Sequence, residues 1–134
     1  MEQVSLSPTG MAAVEFIGDL LTGIQGDDSD SHTGGRWHDI SIYKTDTGSM
    51  ATCIAYRTQV PVESDQCHVD MADDVDDIDN ILSLYEPGQH IVMDEGNARN
   101  RVVDAVVRHY DMQVNDVLEH LKALPADDTP GQPR

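Results

Sequence analysis

The tetrad Thr45-Asp46-Thr47-Gly48 separates two runs of β-compatible residues, and it commits the middle of the chain to an antiparallel hairpin. Trp37 to Tyr43 reads as the first strand, with Trp37, Asp39, Ser41 and Tyr43 on one face and His38, Ile40 and Ile42 on the other. Gly48 supplies the positive φ that the turn needs, and Ser49 to Thr58 returns as the second strand. Cys67, Val69 and Met71 alternate with polar neighbours, which places a third strand over Asp65–Met71.

Beyond that point the apolar spacing becomes helical. Val75, Ile78, Ile81, Leu82 and Tyr85 form one face of a helix over Asp73–Tyr85, with Asp73 as its cap and Pro87-Gly88 as its stop. A second helical region runs from about Asn97 to Leu124. One stripe is Val103, Val106, Val107 and Tyr110, the other Val114, Val117, Leu118 and Leu121; the region is read as two helices broken at Asp111. Residues 1–10 and 125–134 have little to bury and are expected to fray. Residues 26–35 read as an acidic, glycine-flanked loop. Met11–Ile24 is ambiguous: Ala13, Ile17, Leu20, Leu21 and Ile24 fit a helix, while Gly18 and Gly23 weaken it and Phe16, Gly18 and Leu20 alternate as a strand would.

Phe16-Ile17-Gly18-Asp19-Leu20-Leu21, then Arg36-Trp37-His38-Asp39-Ile40-Ser41-Ile42-Tyr43-Lys44-Thr45 and Gly48, resembles short proteins carried on plasmids, integrons and phages, to which no function is assigned. The resemblance covers roughly 14–58. It implies that 14–24 is a strand paired with 36–44 and that the chain is of mobile-element type, and it implies nothing catalytic. Ser49-Met50 departs from the aromatic that follows the glycine in many such proteins.

The expected fold is therefore α+β: an antiparallel three- or four-stranded meander with two or three C-terminal helices packed on one face. Hydrophobic residues make up 39% of the chain, enough for one mostly aliphatic core, so 1–124 is expected to form a single domain with 125–134 as a flexible tail. No apolar run is long enough to span a membrane, and no secretory leader is visible. Two cysteines are too few for a disulfide framework, and the expected location is a reducing cytoplasm.

Charge separates this chain from an ordinary small domain. Nineteen Asp and six Glu face eight Lys and Arg, for a net charge of -17. Solubility alone needs a magnitude of only about 2–8. Such a surface repels nucleic acid and anionic membranes, so neither is an expected partner. The acids concentrate at the start of the first helix, where Asp73, Asp74, Asp76, Asp77 and Asp79 fall within seven consecutive positions. At a rise of about 1.5 Å per residue they carry about one charge per 1.8 Å of axis, against one per about 1.7 Å for duplex DNA. Together with Asp27, Asp28 and Asp30 of the loop, they form the candidate surface for a basic partner. A solvated helix face favoured by the helix dipole accounts for the same residues.

Other chemistry finds less support. Cys53, Cys67, His68, His38 and His32 lack the paired short spacing of zinc ligands, and Cys67 and His68 point to opposite faces of one strand. Asp27-Asp28-Ser29-Asp30-Ser31 fails as a calcium loop, since the sixth and twelfth places hold His32 and His38. No nucleophile elbow, phosphate loop or metalloprotease motif is present; His109, beside Arg108, has no carboxylate at helical spacing to orient it, and His120 sits beside Glu119. No cofactor is expected.

Three functions remain. The first is a non-enzymatic acidic interaction protein that mimics DNA before a nucleic-acid-binding defence enzyme. The second is an acid-coated domain of a salt-adapted organism, whose acids are only screened surface. The third is a small-ligand binder or enzyme with a pocket between sheet and helices. The hairpin edge is also open to pairing with a second copy as a homodimer.

Overall fold

In the computed structural model, which describes residues 1–124, the expected hairpin is the centre of a larger sheet. Five strands, β1 (Glu2–Leu6), β2 (Val14–Gln25), β3 (Arg36–Thr45), β4 (Met50–Thr58) and β5 (Gln66–Ala72), form an antiparallel meander in sequence order. A 3₁₀ turn, Ser31–Thr33, interrupts the β2–β3 connection. Two helices follow, α1 (Val75–Leu84) and α2 (Asn97–Ala123). The expected α+β class, an antiparallel meander followed by helices, forms with more strands than expected. The expected tail, 125–134, lies outside the described residues.

The β3–β4 turn forms as its residues require. Gly48 has φ 92° and donates its N–H to the Thr45 carbonyl, while the Thr45 N–H and hydroxyl both donate to the Ser49 carbonyl. Strand alternation then sorts the side chains. His38, Ile40, Ile42, Ile54 and Tyr56 point toward the helices and are fully or almost fully buried. The core closes over them with Ile78 and Leu82 of α1 and Val117, Leu118 and Leu121 of α2.

Three expectations need correction. The first residues do not fray: β1 pairs with β2 from Leu6–Val14 to Glu2–Gly18, using the alternation of Val4 and Leu6 with Gln3 and Ser5. The second helical region is one helix with no break at Asp111. Val106, Tyr110, Val114, Val117 and Leu121 continue a single buried stripe, no Gly or Pro interrupts it, and Asp111 sits on the exposed side. The β3–β4 hairpin also has no edge to offer a second copy, because β2 and β5 flank it.

Residues 14–25 are a strand, and a β-bulge explains their mixed signal. Leu20 pairs with Tyr43 but Thr22 pairs with Ile42, so the register slips by one residue at Leu21. Leu20 is left outward and exposed, while Leu21 and Ile24 pack against the core. One extra residue breaks the period of two and imitates helical spacing. Gly18 has its own constraint: a Cβ there would collide with the Lys44 carbonyl and lie 3.1 Å from the Phe16 ring. Gly18→Ala is expected to cost about 1–3 kcal/mol by forcing β2 and β3 apart. Thermal unfolding of the variant checks this, and an unchanged midpoint would contradict it.

The sheet curls far enough for its first connection to reach its last strand. The Thr9 N–H donates to the Cys67 carbonyl at 2.9 Å, and the Cys67 N–H donates to Thr9 Oγ1 at 2.8 Å. No helix among the described residues is long and apolar enough to cross a membrane.

Candidate functional site

The acidic start of α1 is built by a reciprocal cap. Asp74 is the N-cap, one residue later than expected, and its Oδ1 accepts the Asp77 N–H at 2.8 Å. Asp77 Oδ2 in turn accepts the Asp73 N–H at 3.0 Å. One backbone donor of the first helical turn, at Asp77, and one just before the cap, at Asp73, are thus satisfied by carboxylates, which the helix dipole also favours. Asp76 is exposed, and Asp79 accepts a hydrogen bond from Ser83 one turn on.

The packing of α1 against α2 extends this patch in a way the linear sequence does not show. Asp79 and Ser83 face Asp111, Asn115 and Glu119 across an open groove of about 560 Å³, in which Lys122 is the one basic lining residue. Asp116 lies on the opposite flank of α2, beside Asp27 and His109 in a second cleft of about 260 Å³. The structure therefore does not merge the Asp27–Asp30 loop with the α1 acids. It places them on two sides of α2, with acids of α2 between them.

The loop acids are mostly engaged with their own neighbourhood. Asp27 accepts from the Ser29 N–H and hydroxyl, which lowers its pKa. Asp28 accepts from Gln59 Nε2 at 2.8 Å. Asp30 caps the 3₁₀ turn, bonds His32 Nδ1, and takes His109 Nε2 at 2.7 Å. His109, followed by the His32 N–H and ring, holds the Asp30 carboxyl far below the usual range. Two ring partners leave Asp30 little capacity for an outside cation. The carboxylate expected to be missing beside His109 thus comes from the loop, 79 positions away in the chain. His120 is likewise engaged, with its Nδ1 2.6 Å from Thr22 Oγ1.

The opposite sheet face carries little charge. From β3 to β5 its outward residues are Trp37, Asp39, Ser41, Tyr43, Ala51, Cys53, Ala55, Arg57, Cys67, Val69 and Met71. The two charged members, Asp39 and Arg57, pair with each other at 3.2 Å. This central sheet surface is thus poor in acids; over the described residues as a whole they are shared between the strand half, eleven in 1–72, and the helix half, twelve in 73–124, where α2 also carries Arg99, Arg101, Arg108 and Lys122.

Sequence reasoning missed two internal polar systems. In the first, Glu63 of the β4–β5 connection has a fully buried side chain and Arg36 one only 5% exposed. Glu63 accepts from Arg36 Nε and Nη2 at 2.8 and 2.6 Å, from the Tyr56 hydroxyl at 2.5 Å and from the Val92 N–H at 3.0 Å. Burial opposes ionisation of Glu63, but these donors outweigh it and hold the carboxyl below its ordinary pKa.

In the second, His38 lies among the rings of Tyr56, Tyr85 and Tyr110 with its Nε2 2.9 Å from the Tyr85 hydroxyl. Burial, then the nearby His90 and His68, pushes its pKa down to about 3. His68 and His90 meet Nε2 to Nε2 at 2.9 Å, so one ring carries the proton and the other accepts it. Buried Gln113 donates to the His38 carbonyl at 2.8 Å. Gln113 was the one readable clue, a polar residue within the apolar stripe of α2. Cys67 and His68 do face opposite sides of β5, and among the described residues no three His, Cys, Asp or Glu side chains are grouped to hold a metal ion.

No family model, curated protein or solved structure matches this chain.

Proposed function

We propose that this protein is a non-enzymatic acidic interaction protein of mobile-element type, which mimics DNA and occupies the cationic groove of a nucleic-acid-binding defence enzyme. The observation that carries the reading is the groove between α1 and α2, where Asp79 meets Asp111 and Glu119 beside the run Asp73, Asp74, Asp76 and Asp77. Three of these acids, Asp76, Asp77 and Asp79, lie within α1, where the helical rise keeps their spacing comparable to the charge density of duplex DNA, while Asp73 and the cap Asp74 precede the helix. Restriction enzymes and RNA-guided nucleases hold their nucleic acids in positively charged channels. A net charge of -17 steers the protein toward such a channel. The loop acids Asp27 and Asp28 are secondary contributors in this reading, and Asp30 serves the fold.

The test replaces Asp73, Asp74, Asp76, Asp77 and Asp79 together by Asn. Asn caps a helix about as well as Asp, so charge is removed while the hydrogen-bond geometry is kept. The wild type is expected to block plasmid cleavage by a restriction or RNA-guided nuclease at about 50 mM salt and to weaken steeply toward 200 mM, while the Asn variant loses the block. Equal inhibition by wild type and variant would reject the assignment.

A further inference from the structure

The geometry points to the Cys53–Cys67 thiol pair as a reversible oxidation site, closed to an intramolecular disulfide by a small-molecule disulfide such as glutathione disulfide. The residues sit on neighbouring strands, Cys53 opposite Val69 and Cys67 opposite Ala55, and are therefore diagonal neighbours on the sheet face turned away from the helices. Diagonal positions are normally too far apart for short side chains to meet. Here the sulfurs lie 3.5 Å apart, and both thiols are free and half-buried. A disulfide needs about 2.05 Å, so closure is a movement of about 1.5 Å shared between two side chains and the β4–β5 spacing.

Cys67 is also the residue whose backbone holds Thr9, where the sheet curl closes. An oxidised pair would tie β4, β5 and the first connection together at one point, on the strand that leads into α1.

The chemistry balances in two exchanges. Cys53 lies on the interior strand β4, where burial, reinforced by the neighbouring Cys67, raises its thiol, and Cys67 lies on the edge strand β5, so the first attack falls to Cys67. Cys67 loses its proton and attacks one sulfur of glutathione disulfide, breaking that bond and releasing one glutathione thiolate. Cys53 then gives up its proton, attacks the Cys67 sulfur of the mixed disulfide and expels the second glutathione. The protein loses two electrons and two protons, and the glutathione disulfide takes up both.

The test equilibrates the full chain with glutathione and its disulfide, quenches with acid, alkylates and digests with trypsin. Cleavage after Lys44, Arg57 and Arg99 puts the two cysteines in separate peptides, 45–57 and 58–99. The expected result is a linked pair of these peptides from monomeric protein, reversed by dithiothreitol. In Cys53→Ser, glutathione is expected to persist on Cys67, since nothing resolves it. Three results would each overturn the inference: free thiols in fully oxidised buffer, glutathione retained on both cysteines of the wild type, or a link between two molecules.

Discussion

Replacing Glu63 by alanine is expected to remove about 3–5 kcal/mol of stability, because it leaves a buried guanidinium with no counter-charge. The same substitution orphans the Tyr56 hydroxyl and the Val92 N–H, so the damage reaches β4 and the segment after α1 together. Glu63→Gln keeps an acceptor in place and should cost less than Glu63→Ala. Urea unfolding of the two variants measures both, and a loss under about 1 kcal/mol for the alanine variant would mean that Arg36 finds water or another partner. Because the folded Glu63 pKa is depressed, its contribution is complete above the unfolded value near 4.5 and fades as pH falls through the lower folded value.

A second large effect is expected at milder acidity. His38 has a folded pKa of about 3 against 6.5 for an unperturbed ring. The unfolded chain therefore binds a proton that the folded chain refuses, and stability falls with pH across the window from 6.5 to about 3. One fully separated histidine contributes about 1.4 kcal/mol per pH unit, so His38 alone should remove about 3 kcal/mol between pH 6.5 and 4. His90, lowered by burial and then by the facing His68, adds to the same slope. Unfolding midpoints from pH 7 to 4 are the measurement, with His38→Gln as the control whose slope should flatten. A wild-type stability that stays level down to pH 5 would contradict the assignment.

What could be read from the residues divides along sequence distance. The β3–β4 hairpin and α1 were legible because their patterns are local: alternation on either side of a glycine turn, and apolar residues at helical spacing behind a run of Asp. The bulge at Leu21 broke alternation in β2, and only the resemblance to other short proteins pointed to a strand there. The supposed break at Asp111 came from two stripes that a continuous helix joins through Tyr110 and Gln113. Half of the candidate site was visible in Asp73–Asp79. Its other half, Asp111 and Glu119, arrives only when α2 packs beside α1. Arg36 with Glu63, and His68 with His90, were invisible for the same reason: they meet across 27 and 22 positions.

The order β1-β2-β3-β4-β5 has a consequence for how the chain is made. Every strand partner is the neighbour just synthesised, so the whole sheet can assemble as it leaves the ribosome. Most of the lid for its oily side, α2, is translated only after every strand. Nascent chains therefore hold Ile40, Ile42 and Ile54 covered by α1 alone until residues beyond 97 emerge, and chaperones have their clearest target before that point.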